Sequence, residues 1–343
     1  MNLKNKRIII NKINQIGDVT FSLPLASALK QLEPSCKIIF LAREYTRALV
    51  ENYADVDEFA DWEAMSKNGL EAATAGLRAL QADIIIHVTS PSKYYRATYI
   101  AAKKAGIPLR IGTARKFHSW LTCNRFVNIS RSKSSLHETQ LDMLFLKPLG
   151  GKKHYSLDEV IALQHYKPFK KTAECLQLLD PQKFNLILHP KTRGEHIEWP
   201  AKNFATLIQS LPTEHFNIFV TGNTKEGEQV REAMLEPFPQ VHDLCGKISL
   251  NDLIELIAHA DGMVCASTGP VHLAANFGIY TLGLYAPIKP FHAGRWGPVG
   301  PKAETLTLQK NCEACRYSAP CHCIAAITPH QVLAVLQRWQ KQK

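Results

Sequence analysis

Short apolar runs alternate with amphipathic stretches along most of the chain. Arg7–Ile13 has the length and apolar content of a strand, and a helical pattern over Val19–Leu32 follows it. Lys37–Ala42 and Arg43–Tyr53 repeat the pair. Ile84–Val88 is apolar at every position but His87, as expected of a strand covered on both faces. The alternation fades between Gly150 and Pro181, where Gly150-Gly151-Lys152-Lys153, Lys167-Pro168 and Asp180-Pro181 mark turns around short helices. It then restarts with strands predicted at Phe184–His189, Phe216–Gly222, Met263–Ala266 and Tyr280–Tyr285. Helices are predicted at Ala201–Leu211, Lys225–Leu235, Leu250–Ala260, Val271–Phe277 and Pro329–Gln342. Strand–helix alternation at this spacing predicts parallel sheets with right-handed crossovers. The chain thus reads as an α/β protein of two Rossmann-like domains, 1–165 and 182–325, joined by a linker at 166–181. Residues 326–343 form a last helix, free to pack back on the first domain.

A length of 343 residues suits two such domains of about 150 residues each. No apolar stretch approaches the roughly 20 residues of a bilayer span, and the basic start Met1–Arg7 lacks the apolar core of a signal peptide. The expected location is the cytoplasm. Lys and Arg number 41 against 30 Asp and Glu, a net charge of +11 that favours an anionic partner. No zinc finger or RNP-type aromatic motif accompanies it, so nucleic acid ranks below a phosphorylated substrate or an anionic membrane. Of nine cysteines, Cys36, Cys123, Cys175, Cys245 and Cys265 are scattered in mostly apolar context, as buried thiols are. Cys312, Cys315, Cys321 and Cys323 are clustered. Their spacing admits a structural Zn²⁺ site but is irregular for a zinc ribbon, and reduced thiols are the simpler expectation in the cytoplasm.

Three loops lie between a predicted strand and a predicted helix, where open α/β sheets bind ligands. In Asn14-Gln15-Ile16-Gly17-Asp18, Asp18 either caps the following helix or serves as a general base. The second loop, His189 to Pro200, gathers His189, Lys191, Thr192, Arg193 and His196 ahead of Trp199-Pro200. Basic groups at a strand's end suit phosphate, though a solvated loop would look the same. The third, Ser267-Thr268-Gly269-Pro270-Val271-His272, sets hydroxyls and glycine before a helix. That arrangement offers N–H groups of Gly269, Val271 and His272 to an anion, or simply caps the helix. Glu226, in a first helical turn, complements the helix dipole or accepts bonds from a ribose. There is no G-x-G-x-x-G after a strand and no P-loop. Asp55-Val56-Asp57 spells the D-x-D of metal-dependent glycosyltransferases, but it falls between a helix and a short strand, away from any nucleotide-like loop, and is rejected as a metal site.

Together these segments resemble glycosyltransferase family 9, the heptosyltransferases. Gly17-Asp18-Val19 with Leu23-Pro24, His189-Pro190 with Trp199-Pro200, and Ala260-Asp261-Gly262 followed by Ser267 to Ala275 stand in the family's order, extended by Tyr285-Ala286-Pro287 and Trp296-Gly297-Pro298. The resemblance implies a GT-B fold whose two parallel sheets face an inter-domain cleft, and inverting transfer without a metal or other cofactor. It implies an ADP-heptose donor, a lipopolysaccharide core acceptor, and Asp18 as the base. The donor would be held by His189, Lys191, Thr192, Arg193, Trp199, Glu226, Ser267, Thr268, Gly269 and His272. Acceptor contacts are expected in the first domain, from Arg43, Arg47, Lys93, Arg96, Arg115 and Lys116, which would also hold the enzyme at the anionic inner face of the cytoplasmic membrane. Two positions depart from the family pattern. Ile197 replaces a frequent Lys before Trp-Pro, and Ser267 replaces the Asp of a usual Asp-Thr-Gly. Two other readings stay open, a nucleotide-sugar epimerase of GT-B type and a nucleotide-sugar-binding protein without transferase activity.

Overall fold

The computed structural model describes residues 1–90, 92–93, 95–131, 134–192, 197–288, 292–308 and 322–343. The chain forms two compact units, Met1–Pro168 and Phe169–Lys343.

The first unit is built on six parallel strands: β1 (Arg7–Asn11), β2 (Lys37–Ala42), β3 (Glu58–Asp61), β4 (Ile84–His87), β5 (Leu109–Thr113) and β6 (Arg125–Val127), in the order β3-β2-β1-β4-β5-β6. The second repeats the topology with β7 (Phe184–His189), β8 (Phe216–Val220), β9 (His242–Asp243), β10 (Gly262–Ala266), β11 (Tyr280–Tyr285) and β12 (Ala303–Thr307), ordered β12-β11-β10-β7-β8-β9. Each is the doubly wound order in which the strand order reverses beside the first strand. The reversal lies between β1 and β4 in one unit and between β7 and β10 in the other. The loops after β1, β7 and β10 therefore sit where the crevice of such a sheet opens.

Central strands owe their place to apolar side chains on both faces. Ile8, Ile9 and Ile10 of β1 are buried, as are Ile84, Ile85 and Ile86 of β4 and all of β7. The edge strands β3, β6, β9 and β12 are short or half-exposed, and their alternation is too brief to stand out in the sequence. The predicted helix Val19–Leu32 is two helices, Ile16–Ser22 and Pro24–Leu32. Pro24 has no N–H to donate and opens the second one.

The terminal helix Pro329–Gln340 packs on the second unit. It lies against the helix Ala201–Ser210, Trp339 stacks on Tyr280, and the Trp339 indole donates to Glu304 Oε1 at 2.9 Å. The sequence had left it free to return to the first domain; its apolar face is committed here instead. Asp55 and Asp57 are tied within the first unit. Asp55 accepts from Ser27 at 2.6 Å, and Asp57 accepts from the Ile38 N–H at 2.7 Å and pairs with Lys30 at 2.8 Å. Cys312, Cys315 and Cys321 lie outside the described residues, while Cys323 is buried in the second unit's core.

Candidate active site

The loop after β1 is pinned from both sides. Asn14 Oδ1 accepts from Thr89 at 2.5 Å, next to the end of β4, and Tyr45 donates to Gln15 Oε1 at 2.9 Å. Gln15 is the N-cap of Ile16–Ser22, and no side chain caps that helix. Asp18, in its first turn, is therefore not the cap that the sequence allowed.

Asp18 instead borders a buried ionic cluster. Lys12, one residue past β1 and almost wholly buried, puts its ammonium 3.9 Å from Asp18 Oδ1 and 3.0 Å from Asp142 Oδ2. Asp142, from the helix Glu138–Met143, also accepts from Ser22 at 2.6 Å and from Arg131 at 2.7 Å. Arg131 bonds Glu138 as well. Burial raises the Asp18 carboxyl above its ordinary value, and nearby Asp142 and Glu138 push the same way while Lys12 and Arg131 oppose. Burial alone would also raise Asp142. Lys12 and Arg131, with bonds from Ser22 and Arg131, nonetheless hold it below the usual carboxylate range. The ionised form of Asp142 is thus favoured, and at 3.0 Å it holds Lys12 in place. Asp18, whose side chain keeps 26% of its exposure, is the carboxylate able to take up a proton.

Lys12, Ser22, Arg131 and Asp142 were not singled out from the sequence. The signal present was faint: Lys12 interrupts the apolar end of β1, and Asp142 sits between Leu141 and Met143 on an otherwise apolar stretch. Arg131 also joins a pocket of about 470 Å³ at the carboxyl ends of β4, β5 and β6, lined by Ser90, Thr113, Arg115, Lys116, Ser130 and Arg131 among others. The predicted Arg115 and Lys116 are brought together there. Arg43, Arg47, Lys93 and Arg96 do not line it. Arg43 pairs with Glu63 at 2.9 Å, and Arg47 pairs with Glu44 and Glu51 and lies over Phe59.

In the second unit, His189 closes β7, buried, with Nδ1 2.9 Å from Thr221 Oγ1. Lys191 pairs with Glu198, whose Oε1 accepts from the Thr192 N–H at 2.9 Å. Ile197, at the position of the expected Lys, packs on the core. Arg193 and His196 lie outside the described residues. Trp199 is 1% exposed, packs edge-on against Phe204 and donates to the Ile327 carbonyl at 2.8 Å. An indole so enclosed has no face left for a ligand, so Trp199 anchors the loop to the core and does not touch the donor as the sequence suggested. Pro200 is the N-cap of Ala201–Ser210, the helix predicted to start at Ala201.

Glu226 is buried and closes a capping box. It accepts from the Asn223 N–H at 2.8 Å, while Asn223 Oδ1 accepts from the Glu226 N–H at 2.9 Å. Beside it Gly227 lets the helix approach closely, since a Cβ there would meet Cys245 Cβ at 2.5 Å. The half-buried Ser267-Thr268-Gly269-Pro270 turn leads into the helix Gly269–Asn276. Thr268 is its N-cap but makes no capping bond with its hydroxyl. Of the three N–H groups expected to await an anion, that of Val271 is spent on the Thr268 carbonyl at 3.2 Å. His272 is buried within the first turn.

Two doubly wound sheets, each with strand-to-helix loops at its switch point, define an α/β protein of the kind that binds ligands at those loops. The chain belongs to glycosyltransferase family 9 (heptosyltransferase), whose model matches residues 72–322, and it is a glycosyltransferase. It is 26% identical over 309 residues to a Haemophilus influenzae protein assigned as a glycosyltransferase, covering 86% of each chain. It is 24% identical over 301 residues to lipopolysaccharide heptosyltransferase 1 of Escherichia coli K12, covering 85% of this chain and 91% of that one. The solved structure of the E. coli ADP-heptose lipopolysaccharide heptosyltransferase II has the same fold, with a TM-score of 0.73 at 21% identity over 98% of this chain and 99% of that one. Among the described residues no helix is long and apolar enough to cross a membrane.

Proposed function

We propose that this protein transfers heptose, or a related sugar, from an ADP-sugar to a lipopolysaccharide core acceptor, with inversion and without a catalytic metal. The observation that carries the mechanism is the Asp18 carboxylate, half open at the switch point and lifted in basicity by burial while Lys12 faces it at 3.9 Å.

In this reading the acceptor hydroxyl gives its proton to Asp18 as its oxygen bonds the anomeric carbon from the face opposite the leaving group. The bond from that carbon to the diphosphate oxygen breaks, and ADP departs with the electron pair. A base of raised pKa suits this step, since its strength approaches what an alcohol's proton requires as attack begins. The leaving charge would be met by the dipole end of Gly269–Asn276, the Ser267 and Thr268 hydroxyls, and the basic groups of the loop after β7. His189, Lys191, Thr192, Glu226 and His272 remain the donor-side residues; Trp199 supports them from the core. Arg115, Lys116 and Arg131, with the hydroxyls of Ser90, Thr113 and Ser130, make a pocket suited to a phosphorylated or acidic sugar. It reaches Asp18 through Arg131, Asp142 and Lys12, which links the acceptor's charge to the base.

Calorimetry of the purified protein with ADP-heptose, other ADP-sugars and UDP-sugars, all in chelator, tests the donor assignment. Binding of ADP-heptose in preference to the rest is the expected result. Preference for a UDP-sugar, or a strict need for divalent metal, would contradict it.

A further inference from the structure

Between Asp83 and Glu138 the chain has no Asp or Glu, yet it carries ten Lys and Arg. The remainder, 31 Lys and Arg against 30 Asp and Glu, is close to neutral, so nearly all of the +11 resides in this one segment. At its centre lies the six-residue helix Phe117–Thr122.

That helix is inside out. A surface helix normally buries its large apolar side chains and shows its polar ones. Here Ser119 and Thr122 are buried, while Phe117, Trp120 and Leu121 are 73%, 60% and 50% exposed. They are three of the seven large apolar side chains exposed among the described residues, and no other two of the seven share a helix. The Trp120 indole N–H donates to the Ala114 carbonyl at 2.8 Å, and the ring stacks on Phe126 at 4.7 Å. Its polar group is satisfied within the protein, and an apolar surface faces outward. Lys103 fixes the helix end by donating to the Leu121 carbonyl at 2.8 Å. Arg115, Lys116 and Arg125 flank the patch, exposed, and the first two also line the cationic pocket.

We propose that the helix Phe117–Thr122 is a membrane-docking surface, inserting Phe117, Trp120 and Leu121 among the lipids of an anionic bilayer while Arg115, Lys116 and Arg125 engage the headgroups. An apolar projection flanked by cations, in a segment of sequence without carboxylates, matches an anionic interface in both its parts. A protein partner would need an acidic rim around an apolar hollow; a bilayer supplies both without specific shape. The surface deepens the proposed function, on which it rests for its purpose, because it places the mouth of the pocket where a lipid-borne acceptor would lie.

The test compares the full-length protein with the triple variant Phe117→Ser/Trp120→Ser/Leu121→Ser, whose changes are at exposed positions. Thermal melting checks that it is folded. Sedimentation with phosphatidylglycerol–phosphatidylethanolamine vesicles should pull down the wild type, and phosphatidylcholine vesicles should not. The variant's partition onto the anionic vesicles should fall by about tenfold or more, as expected for losing three inserted side chains. Transfer to a deacylated, water-soluble core acceptor should be unchanged. Equal partition of variant and wild type, binding to neutral vesicles as strong as to anionic ones, or no binding by the wild type would overturn the proposal. So would a wild-type dimer in ultracentrifugation that the triple change converts to monomer, since the patch would then be an interface between copies. If vesicle binding behaves as expected but neither protein transfers sugar, the docking surface stands and the transferase mechanism falls.

Discussion

Asp18→Asn should lower the rate of sugar transfer by about 10²–10⁴-fold and leave donor affinity within about twofold. The amide keeps the side chain's shape but cannot accept the proton of the attacking hydroxyl. The same residue fixes the pH response. Burial raises the carboxyl, so the acid limb of kcat/KM should lie above the ordinary aspartate value of 3.8. The stability of the variant separates this account from a merely structural role. A carboxyl whose pKa is higher folded than unfolded opposes folding once it is ionised in both states. Asp18→Asn removes that opposition, so the variant should melt no lower than wild type at neutral pH. The difference should vanish in acid, where the carboxyl is neutral in both states. A large fall in melting temperature together with lost activity would instead make Asp18 part of the scaffold.

Asp142→Ala is expected to do the reverse. Asp142 accepts from Lys12, Ser22 and Arg131, and its removal leaves two cations near one another, Lys12 buried without its 3.0 Å partner. Breaking such a buried pair costs about 3–5 kcal/mol, to be read from denaturant unfolding. The pKa of Asp142 is held down in the folded state, so its stabilisation is complete above the ordinary carboxylate value and is lost as pH falls through the folded one. The gap between variant and wild type should accordingly be widest at neutral pH and close on acidification. A variant as stable as wild type would show that Lys12 and Arg131 are satisfied elsewhere, and the cluster would lose its part in holding Asp18.

The central strands of both sheets were legible because isoleucine-rich runs such as Ile8–Ile10 and Ile84–Ile86 have no other place to go than the middle of a covered sheet. The edge strands were not, since β3 and β12 are half-exposed and carry no apolar run. The strand-to-helix loops could be found because turn residues mark them, and the topology then sets those after β1, β7 and β10 at the switch points. What the loops do could not be read in full. Trp199 looks like a ligand platform beside its basic neighbours, and only the packing reveals an indole spent on Phe204 and Ile327. The ionic cluster behind Asp18 was invisible for a different reason. Lys12 and Asp142 are 130 positions apart, and a single buried charge announces its partner only once the chain is folded. Arg47 shows what sequence position leaves out, since its guanidinium pairs with Glu44 and Glu51 on the protein's own surface.

The most direct measurement is of the product. The protein would be incubated in chelator with ADP-heptose and a lipopolysaccharide core acceptor ending in an acidic sugar, and the product analysed by mass spectrometry and NMR. The account predicts an acceptor heavier by one heptose, with its anomeric configuration inverted from that of the donor, and almost none from Asp18→Asn. Retained configuration, near wild-type transfer by Asp18→Asn, or turnover of the donor with no sugar passed to the acceptor would contradict it.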